Sequence, residues 1–260
     1  MTDDLSYVNI YADTSAWILK RCATEIKNIY PEISINGKPR AINYSINYAL
    51  YRDVPGIKIG FFTHLETQGQ FRCRFIQTIQ KYDYYVSMCH NTTGKLISFN
   101  ADREKITEIH CGYDERVKKK PIFGIVGRVY PSGRKGEYLV ENMVNTGYKI
   151  KAWGRGWPIT DMNDNWDELP GFYQSIDYLV VTSLNEGGPI PVLDALAAGV
   201  PVIAPDVGWC WEFPVIRYNT GNWDSLNNIL SKLDNPPAWD RWSYAHGKMF
   251  KEIALKEGVI

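Results

Sequence analysis

The sequence predicts an α/β fold in which short apolar strands alternate with helices, and two stretches of the chain carry this prediction. Residues 178–181 form a short apolar run that is typical of a buried parallel strand, and residues 202–204 form another. Between them, apolar residues recur at helical spacing until Gly199-Val200-Pro201 ends the helix. Residues 121–128 form a further apolar strand, which ends in Gly-Arg and precedes a loop and a helix. The chain therefore contains a β-α-β unit and a further strand-helix pair.

A glycine-rich turn joins the strand at 178–181 to its helix, and we expect this turn to bind a phosphate-bearing ligand. It carries Glu186 and then Gly187-Gly188-Pro189. Backbone N–H groups at the start of a helix lack intrahelical partners and lie at the positive end of the helix dipole, which favours a diphosphate. Asp194 lies eight positions after Glu186, so the two carboxylates are placed to contact different hydroxyls of one extended ligand. The alternative is that Glu186 only belongs to a turn and Asp194 faces solvent.

This segment resembles the donor-binding signature of the family 4 (group 1) glycosyltransferases, which have the two-domain GT-B fold. The matching positions are Ser183, Glu186, Gly187, Asp194, Ala195, Gly199, Pro201 and Val202. The resemblance implies two Rossmann-like β/α/β domains that face each other across a cleft. It also implies that Glu186 holds hydroxyls of the transferred sugar and that Asp194, where the family usually has Glu, binds the nucleotide ribose. The implied diphosphate contacts come from the backbone of Gly187, Gly188, Pro189 and Ile190.

A second block resembles the Gly-Arg…Lys-Gly element of the same family. Gly127 and Arg128 end the strand at 121–128, and Lys135 follows in the next loop. In the family the two cations neutralise the diphosphate of the donor as it leaves, which is electrostatic catalysis. Arg128 and Lys135 inherit these roles, although the longer spacing leaves Arg134 open as the second cation. The alternative is that all three are ordinary solvated loop residues.

The resemblance divides the chain into a shortened acceptor-side domain of residues 1–116 and a nucleotide-sugar-binding domain of residues 117–260. Residues 105–114 resemble the element that closes the first domain, and we leave open whether the last helix packs back on that domain. Residues 148–157 predict a strand that ends in a glycine loop, and residues 169–177 a short helix. The helix and strand that the family usually has between them are not recognisable here.

In the first domain, candidate acceptor-side residues follow the predicted strands. The predicted strands are residues 8–12, 42–48 and 58–64, and residues 13–15 precede a predicted helix over 16–26. Ligands of open α/β sheets bind at the carboxyl ends of strands, which places Asp13, His64 and Glu66 within reach of an acceptor or sugar. The alternatives are a hydrogen-bonded structural role for His64 and a helix cap for Asp13.

Composition agrees with an enzyme of this size. The 260 residues are 45% hydrophobic, and 29 basic residues balance 29 acidic ones, so the net charge gives no general attraction to nucleic acid. A local basic cluster at Arg72, Arg74 and Lys81 leaves contact with phosphates open. The five cysteines are scattered and indicate neither a zinc site nor a disulfide framework, so we expect a reducing cytoplasm, with peripheral membrane attachment left open. No apolar run approaches the ~18 residues that indicate a membrane span.

These features predict a glycosyltransferase that moves a hexose from a nucleotide-diphosphate sugar, with a UDP-sugar expected, to an acceptor hydroxyl. If the resemblance extends to mechanism, the anomeric configuration is retained and neither a metal nor another cofactor is needed, because Arg128 and Lys135 stabilise the leaving phosphate. An inverting route would need a carboxylate base, for which Asp13 and Glu66 are the candidates.

We expect the acceptor to be a glycan or lipid precursor. The sequence leaves open a protein, or a hydroxymethylated base in DNA as in some compact viral glycosyltransferases, which act in the host cytoplasm. Two other classes of protein remain. One is a nucleotide-sugar-binding module without catalysis, and the other is a nicotinamide-dependent enzyme, which is disfavoured because no GxGxxG follows the first strand.

Overall fold

The computed structural model describes residues 4–64, 69–159, 162–163 and 165–260, which form two compact units. Unit 1 comprises Met1–Val117 and Pro237–Ile260, and unit 2 comprises Lys118–Pro236. Each unit is built on a six-stranded sheet in which every strand pairing is parallel. The predicted α/β class with two Rossmann-like halves is confirmed.

Strands and helices alternate along most of the chain. The strands are β1 (Val8–Tyr11), β2 (Ser34–Ile35), β3 (Ile42–Ser45), β4 (Ile57–Phe62), β5 (Tyr84–Ser87), β6 (Ile106–Glu108), β7 (Ile122–Val126), β8 (Lys149–Trp153), β9 (Met162–Asn163), β10 (Tyr178–Val180), β11 (Val202–Pro205) and β12 (Ile216–Tyr218). The helices are α1 (Trp17–Ile29), α2 (Gly69–Ile79), α3 (His90–Ser98), α4 (Glu137–Thr146), α5 (Leu169–Gln174), α6 (Ile190–Ala197), α7 (Trp223–Asp234) and α8 (Trp239–Lys256).

The sheet of unit 1 has the strand order β2-β1-β3-β4-β5-β6. All four residues of β1, β3 and β5 are buried, as expected for parallel strands that are covered on both faces. One of the covering helices is α8, whose buried residues Trp242, His246, Phe250 and Ile253 recur at helical spacing. The indole Nε1 of Trp242 donates to the carbonyl oxygen of Cys22 in α1 at 3.1 Å. The last helix therefore completes the core of unit 1 rather than extending unit 2.

The sheet of unit 2 has the strand order β12-β11-β10-β7-β8-β9. From β7 the chain passes through α4 to β8 on one side, whereas from β10 it passes through α6 to β11 on the other side. The neighbouring strands β7 and β10 thus send their connections in opposite directions. In open parallel sheets a crevice for ligands forms at the carboxyl ends of two such strands.

Several predicted boundaries differ from the structure. The first helix begins at Trp17 and ends at Ile29, because the chain around Asp13 forms a separate turn before it. The predicted strand over 42–48 ends at Ser45, and Tyr48–Leu50 is a 3-10 turn. A two-residue strand, β9, pairs with β8 where the sequence showed none, since so short a strand has no period to recognise. No helix of the described residues is long and apolar enough to cross a membrane.

Candidate functional site

A cluster of charged side chains lies at the carboxyl ends of β7 and β10. The carboxylate of Glu186 accepts a hydrogen bond from the ammonium of Lys135, one from Arg134 at 3.1 Å and one from the hydroxyl of Ser183 at 2.8 Å. The side chains of Glu186 and Lys135 are only 11% and 14% exposed, whereas that of Arg134 is 40% exposed. Lys135 is therefore the inner cation of the cluster and Arg134 the outer one.

The loop that carries the two cations is held against the end of β10 by its backbone. Thr182 donates from its hydroxyl to the carbonyl oxygen of Lys135 at 2.7 Å, and the N–H of Leu184 donates to the carbonyl oxygen of Arg134 at 2.8 Å. Gly136 has a φ of 63°, and a Cβ there would overlap the carbonyl oxygen of Thr182. Glycine is required at this position, and the resulting close approach brings Lys135 to Glu186.

The charges of the cluster determine the state of Glu186. Partial burial by itself raises the pKa of Glu186, but hydrogen bonds from Lys135 and Ser183 and the charge of Lys135 outweigh burial, so the pKa lies below its ordinary value. The carboxylate is ionised at neutral pH and accepts hydrogen bonds only. Arg134 and Lys135 together outnumber this one carboxylate by one positive charge, which suits a ligand that carries a diphosphate.

The backbone of Gly127 forms the β7 side of the crevice. Gly127 has a φ of 133°, and a Cβ there would lie 3.5 Å from the ammonium of Lys135. The indole Nε1 of Trp157 donates to the carbonyl oxygen of Gly127 at 2.8 Å. A Cβ on Gly154 would overlap the same oxygen, so glycine is required there as well. The Gly-x-Gly sequence at 154–156 thus lets the end of β8 approach the end of β7.

The turn from β10 into α6 presents backbone N–H groups. Among the described residues, no acceptor is assigned to the N–H groups of Gly187, Gly188 and Ile190. A Cβ on Gly188 would lie 2.5 Å from the ring of Trp209, so this ring packs directly beneath the turn. Because these donors lie at the positive end of α6, the electrostatics of the turn favour an anion next to Glu186.

Asp194 lies on the wall of a separate pocket, which we call the α5–α6 pocket. Its volume is about 500 Å³, and its lining includes Trp166, Tyr173, Ile190 and Asp194. Burial raises the pKa of Tyr173, and its protonated hydroxyl donates to the carboxylate of Asp194 at 3.4 Å. The indole of Trp166 is 75% exposed and the side chain of Ile190 is 61% exposed. The pocket combines flat apolar surface with one carboxylate.

The remaining predicted residues lie outside this cluster. Arg128 directly follows Gly127 but is exposed, and within the described residues it has no assigned hydrogen bond or ion pair. In unit 1, the carboxylate of Asp13 accepts hydrogen bonds from the N–H and hydroxyl of Ser15, and these bonds lower its pKa. His64 is exposed, and its Nδ1 lies 2.8 Å from the hydroxyl of Thr63. Glu66 lies outside the described residues.

Three aromatic residues of the site escaped prediction from the sequence. Trp157 was visible only as the end of a weak glycine motif, and Tyr173 only as part of a short helix. Trp166 lies in a region that showed no pattern. Aromatic residues are usually core residues. The sequence therefore offers no signal that distinguishes these three from the aromatic residues of the core. Among the described residues, no cluster of His, Cys, Asp and Glu is arranged to hold a metal ion.

A comparison with known protein families matches the part of unit 2 that contains Glu186 and Asp194. The sequence model of the family described as glycosyl transferases, group 1, matches residues 162–223, which run from β9 to the start of α7. A D-inositol 3-phosphate glycosyltransferase of Salinispora tropica is 35% identical over 75 residues. This alignment covers 29% of the chain and only 14% of the length of the relative. The resemblance to group 1 glycosyltransferases is confirmed, while membership of family 4 stays a prediction.

Two solved structures are similar over most of the chain. Anabaena HepE in complex with UDP and glucose is 11% identical, with 98% of this chain and 100% of that chain covered and a TM-score of 0.38. Sucrose-phosphate synthase from Thermosynechococcus elongatus is 15% identical, with 84% and 72% covered and a TM-score of 0.38.

Proposed function

Because residues 162–223 match the group 1 glycosyl transferases, we propose that the protein transfers a hexose from a nucleotide-diphosphate sugar to an acceptor hydroxyl. The observation that carries the proposal is the ionised Glu186 between Lys135 and Arg134. This cluster lies at the carboxyl ends of β7 and β10, the two neighbouring strands whose connections run in opposite directions. An acceptor-only carboxylate beside an excess of positive charge suits a ligand that has hydroxyls on one part and a diphosphate on the next.

The parts of the donor follow the chain from Glu186 to Asp194. Glu186 accepts hydrogen bonds from the sugar hydroxyls, and the diphosphate meets the N–H groups of Gly187, Gly188 and Ile190 together with Lys135. Asp194 lies four residues inside α6 from Ile190, or about 6 Å along the helix axis. This distance matches the step from a diphosphate to a ribose, so the α5–α6 pocket takes the nucleoside. The ribose hydroxyls face Asp194, and the base lies against the exposed indole of Trp166.

The proposed mechanism uses the same cations for binding and for catalysis. As the bond from the anomeric carbon to the phosphate breaks, negative charge grows on the phosphate oxygens, and Lys135 and Arg134 stabilise this charge. When the donor binds, the two cations exchange part of their contact with Glu186 for contact with the diphosphate. We further propose retention of configuration without a metal, with the leaving phosphate as acceptor of the proton from the attacking hydroxyl. UDP-sugars are the donors expected from the resemblance.

The first test is a thermal-shift screen with UDP, GDP, ADP, TDP and CMP and their common sugar conjugates. A ligand that binds only the folded protein raises its melting temperature, and we expect one nucleoside diphosphate to do so. Trp166→Ala should reduce the shift, while Trp211→Ala should not, because Trp211 is a similarly exposed tryptophan of the same unit that lies outside the α5–α6 pocket. No shift with any nucleotide, with or without a sugar, contradicts the proposed donor site.

A second test separates an enzyme from a binding module. With the nucleotide identified, its sugar conjugate is incubated with the protein without an acceptor, and the released sugar is measured. An enzyme of this kind hydrolyses the donor slowly, and Glu186→Gln should stop the release. A pure binding module gives a thermal shift but releases no sugar above the uncatalysed rate.

A further inference from the structure

Unit 1 contains a cavity of about 330 Å³ at the carboxyl ends of its strands. Asn47 follows β3, Thr63 follows β4 and Met88 follows β5, and all three line the cavity. The first turns of α1 form another wall, through Leu19 and Cys22. The position agrees with the general rule for ligand sites in open parallel sheets, and the volume lies in the usual range for small-molecule sites.

The inner wall of the cavity is apolar. It is formed by Leu19, Cys22, Phe61, Met88 and Cys111, and Cys22 and Phe61 are almost completely buried. Thiols in such surroundings behave as small hydrophobic groups. A cavity of this kind takes alkyl or aryl groups, and a far smaller apolar cavity, of about 150 Å³, is large enough for benzene.

The polar side chains that line the cavity are few, and those of Asn47, Thr63 and His64 each take part in a hydrogen bond. The side chain of Asn47 accepts from the N–H of Ala49 at 2.8 Å, and the hydroxyl of Thr63 lies 2.8 Å from Nδ1 of His64. His64 is exposed, so this pair lies where the cavity opens to solvent. A sugar ring would bring several hydroxyls against a wall without partners for them, and each unpaired buried hydroxyl opposes binding.

We propose that this cavity binds the apolar part of the acceptor, so that the acceptor is an alcohol or phenol whose hydroxyl is carried on an alkyl or aryl group. The hydroxyl stays at the mouth, beside Thr63 and His64. The role as acceptor site rests on the proposed function, whereas the preference for apolar ligands rests only on the cavity.

The test uses the full chain with its methionine methyl groups labelled with ¹³C and follows the methyl signal of Met88 by NMR. Met143, which is fully buried in unit 2, serves as the internal reference. Straight-chain alcohols from n-propanol to n-hexanol are titrated, with phenol as the aryl probe and glucose as the polar control. The Met88 signal should shift saturably with the alcohols and with phenol, and binding should tighten about fourfold for each added methylene. Glucose should leave the signal unchanged.

Two variants test whether the signal comes from the cavity. Leu19→Trp fills it and should abolish the shift, whereas Ile29→Trp makes the same kind of change on an exposed position of the same helix and should preserve it. Should Leu19→Trp disturb the fold, as the Met143 and Met249 signals would reveal, Ala16→Leu narrows the cavity from its rim instead. If Leu19→Trp and Ile29→Trp weaken alcohol binding equally, the proposal is overturned. It is also overturned if the affinity measured from the Met88 signal does not depend on the chain length of the alcohol, or if glucose binds more tightly than the alcohols.

The acceptor role is tested separately. With the donor identified, transfer to n-hexanol and phenol is compared with transfer to glucose, and faster transfer to the apolar acceptors is expected. Exclusive transfer to glucose overturns the acceptor assignment. Failure of the proposed function is distinguishable, because then either no nucleotide would raise the melting temperature or no sugar would be released from the donor, while Met88 still responded to the alcohols.

Discussion

Replacement of Lys135 by methionine tests the central feature of the site, the inner cation that contacts Glu186. Methionine keeps most of the length and apolar stem of the side chain but removes its charge. In the folded protein Lys135 and Glu186 are only 14% and 11% exposed, so solvent screens their interaction weakly. Lys135→Met leaves Glu186 with two donors, Arg134 and Ser183.

The magnitudes follow from the number and exposure of the contacts. One hydrogen bond between charged groups contributes about 1.5–3 kcal/mol, so loss of the Lys135 contact should weaken binding of the nucleoside diphosphate about 10- to 150-fold. Arg134 is 40% exposed, and an exposed ion pair contributes about 1 kcal/mol or less, so Arg134→Met should weaken binding by about fivefold at most. The free energy of unfolding should fall by about 1.5–3 kcal/mol in Lys135→Met, because the partly buried carboxylate of Glu186 loses a hydrogen bond from a charged donor.

Titration calorimetry with the nucleotide found by thermal shift measures the affinities, and urea unfolding measures the stabilities. Lys119→Met is the matched control, since Lys119 forms an exposed ion pair with Asp177 elsewhere in unit 2. If Arg134→Met is the more damaging of the two changes, Arg134 is the main diphosphate contact and the assignment of Lys135 is wrong. If neither changes the affinity more than Lys119→Met does, the charged cluster does not bind the donor.

Three further predictions address the sugar contact, the turn and the core. Glu186→Gln should lower turnover by about 100-fold or more while nucleoside diphosphate binding, measured by calorimetry, stays at least as tight, because the two cations no longer share their contacts with a carboxylate. Weaker binding of the diphosphate would contradict this. Gly188→Ala should destabilise the protein by about 1–3 kcal/mol in urea unfolding, because the added methyl lies 2.5 Å from the Trp209 ring, and an unchanged midpoint would show that the ring moves aside. His246 is fully buried, and burial lowers its pKa from 6.5 to about 3, although its hydrogen bond to the carbonyl oxygen of Trp242 opposes this shift. Below pH 6.5 this imidazole binds a proton in the unfolded chain but not in the folded protein. The contribution of His246 to the free energy of unfolding should therefore be fully present above pH 6.5 and fall by about 1.4 kcal/mol per pH unit below it. His246→Gln should reduce this slope in urea unfolding between pH 6.5 and 4.5, and an unchanged slope would assign it to other groups.

The sequence by itself determined the class of the fold and the β-α-β unit around Glu186. Hydrophobic periodicity and the glycine and proline residues that end an element are local properties of the sequence. They were therefore sufficient to predict β7, β10 and β11 and the turns beside them. The same local signals placed Glu186 on the turn and Asp194 on the helix that follows it. Boundaries were less accurate, as at Ser45, because local patterns fade where a strand passes into a turn.

Only the tertiary structure decided which distant groups meet. Lys135 and Arg134 lie about fifty positions before Glu186, and their contact depends on β7 and β10 being neighbours in the sheet. The indole of Trp157 reaches Gly127 because β8, which precedes it, pairs with β7. Helix α8 joins unit 1 although more than a hundred residues separate it from the first part of that unit. Strand order and helix docking depend on long-range burial of apolar surface, which the local pattern of a segment does not encode. The charged cluster and the apolar cavity are therefore products of packing, whereas the turn that carries Glu186 is a product of local sequence.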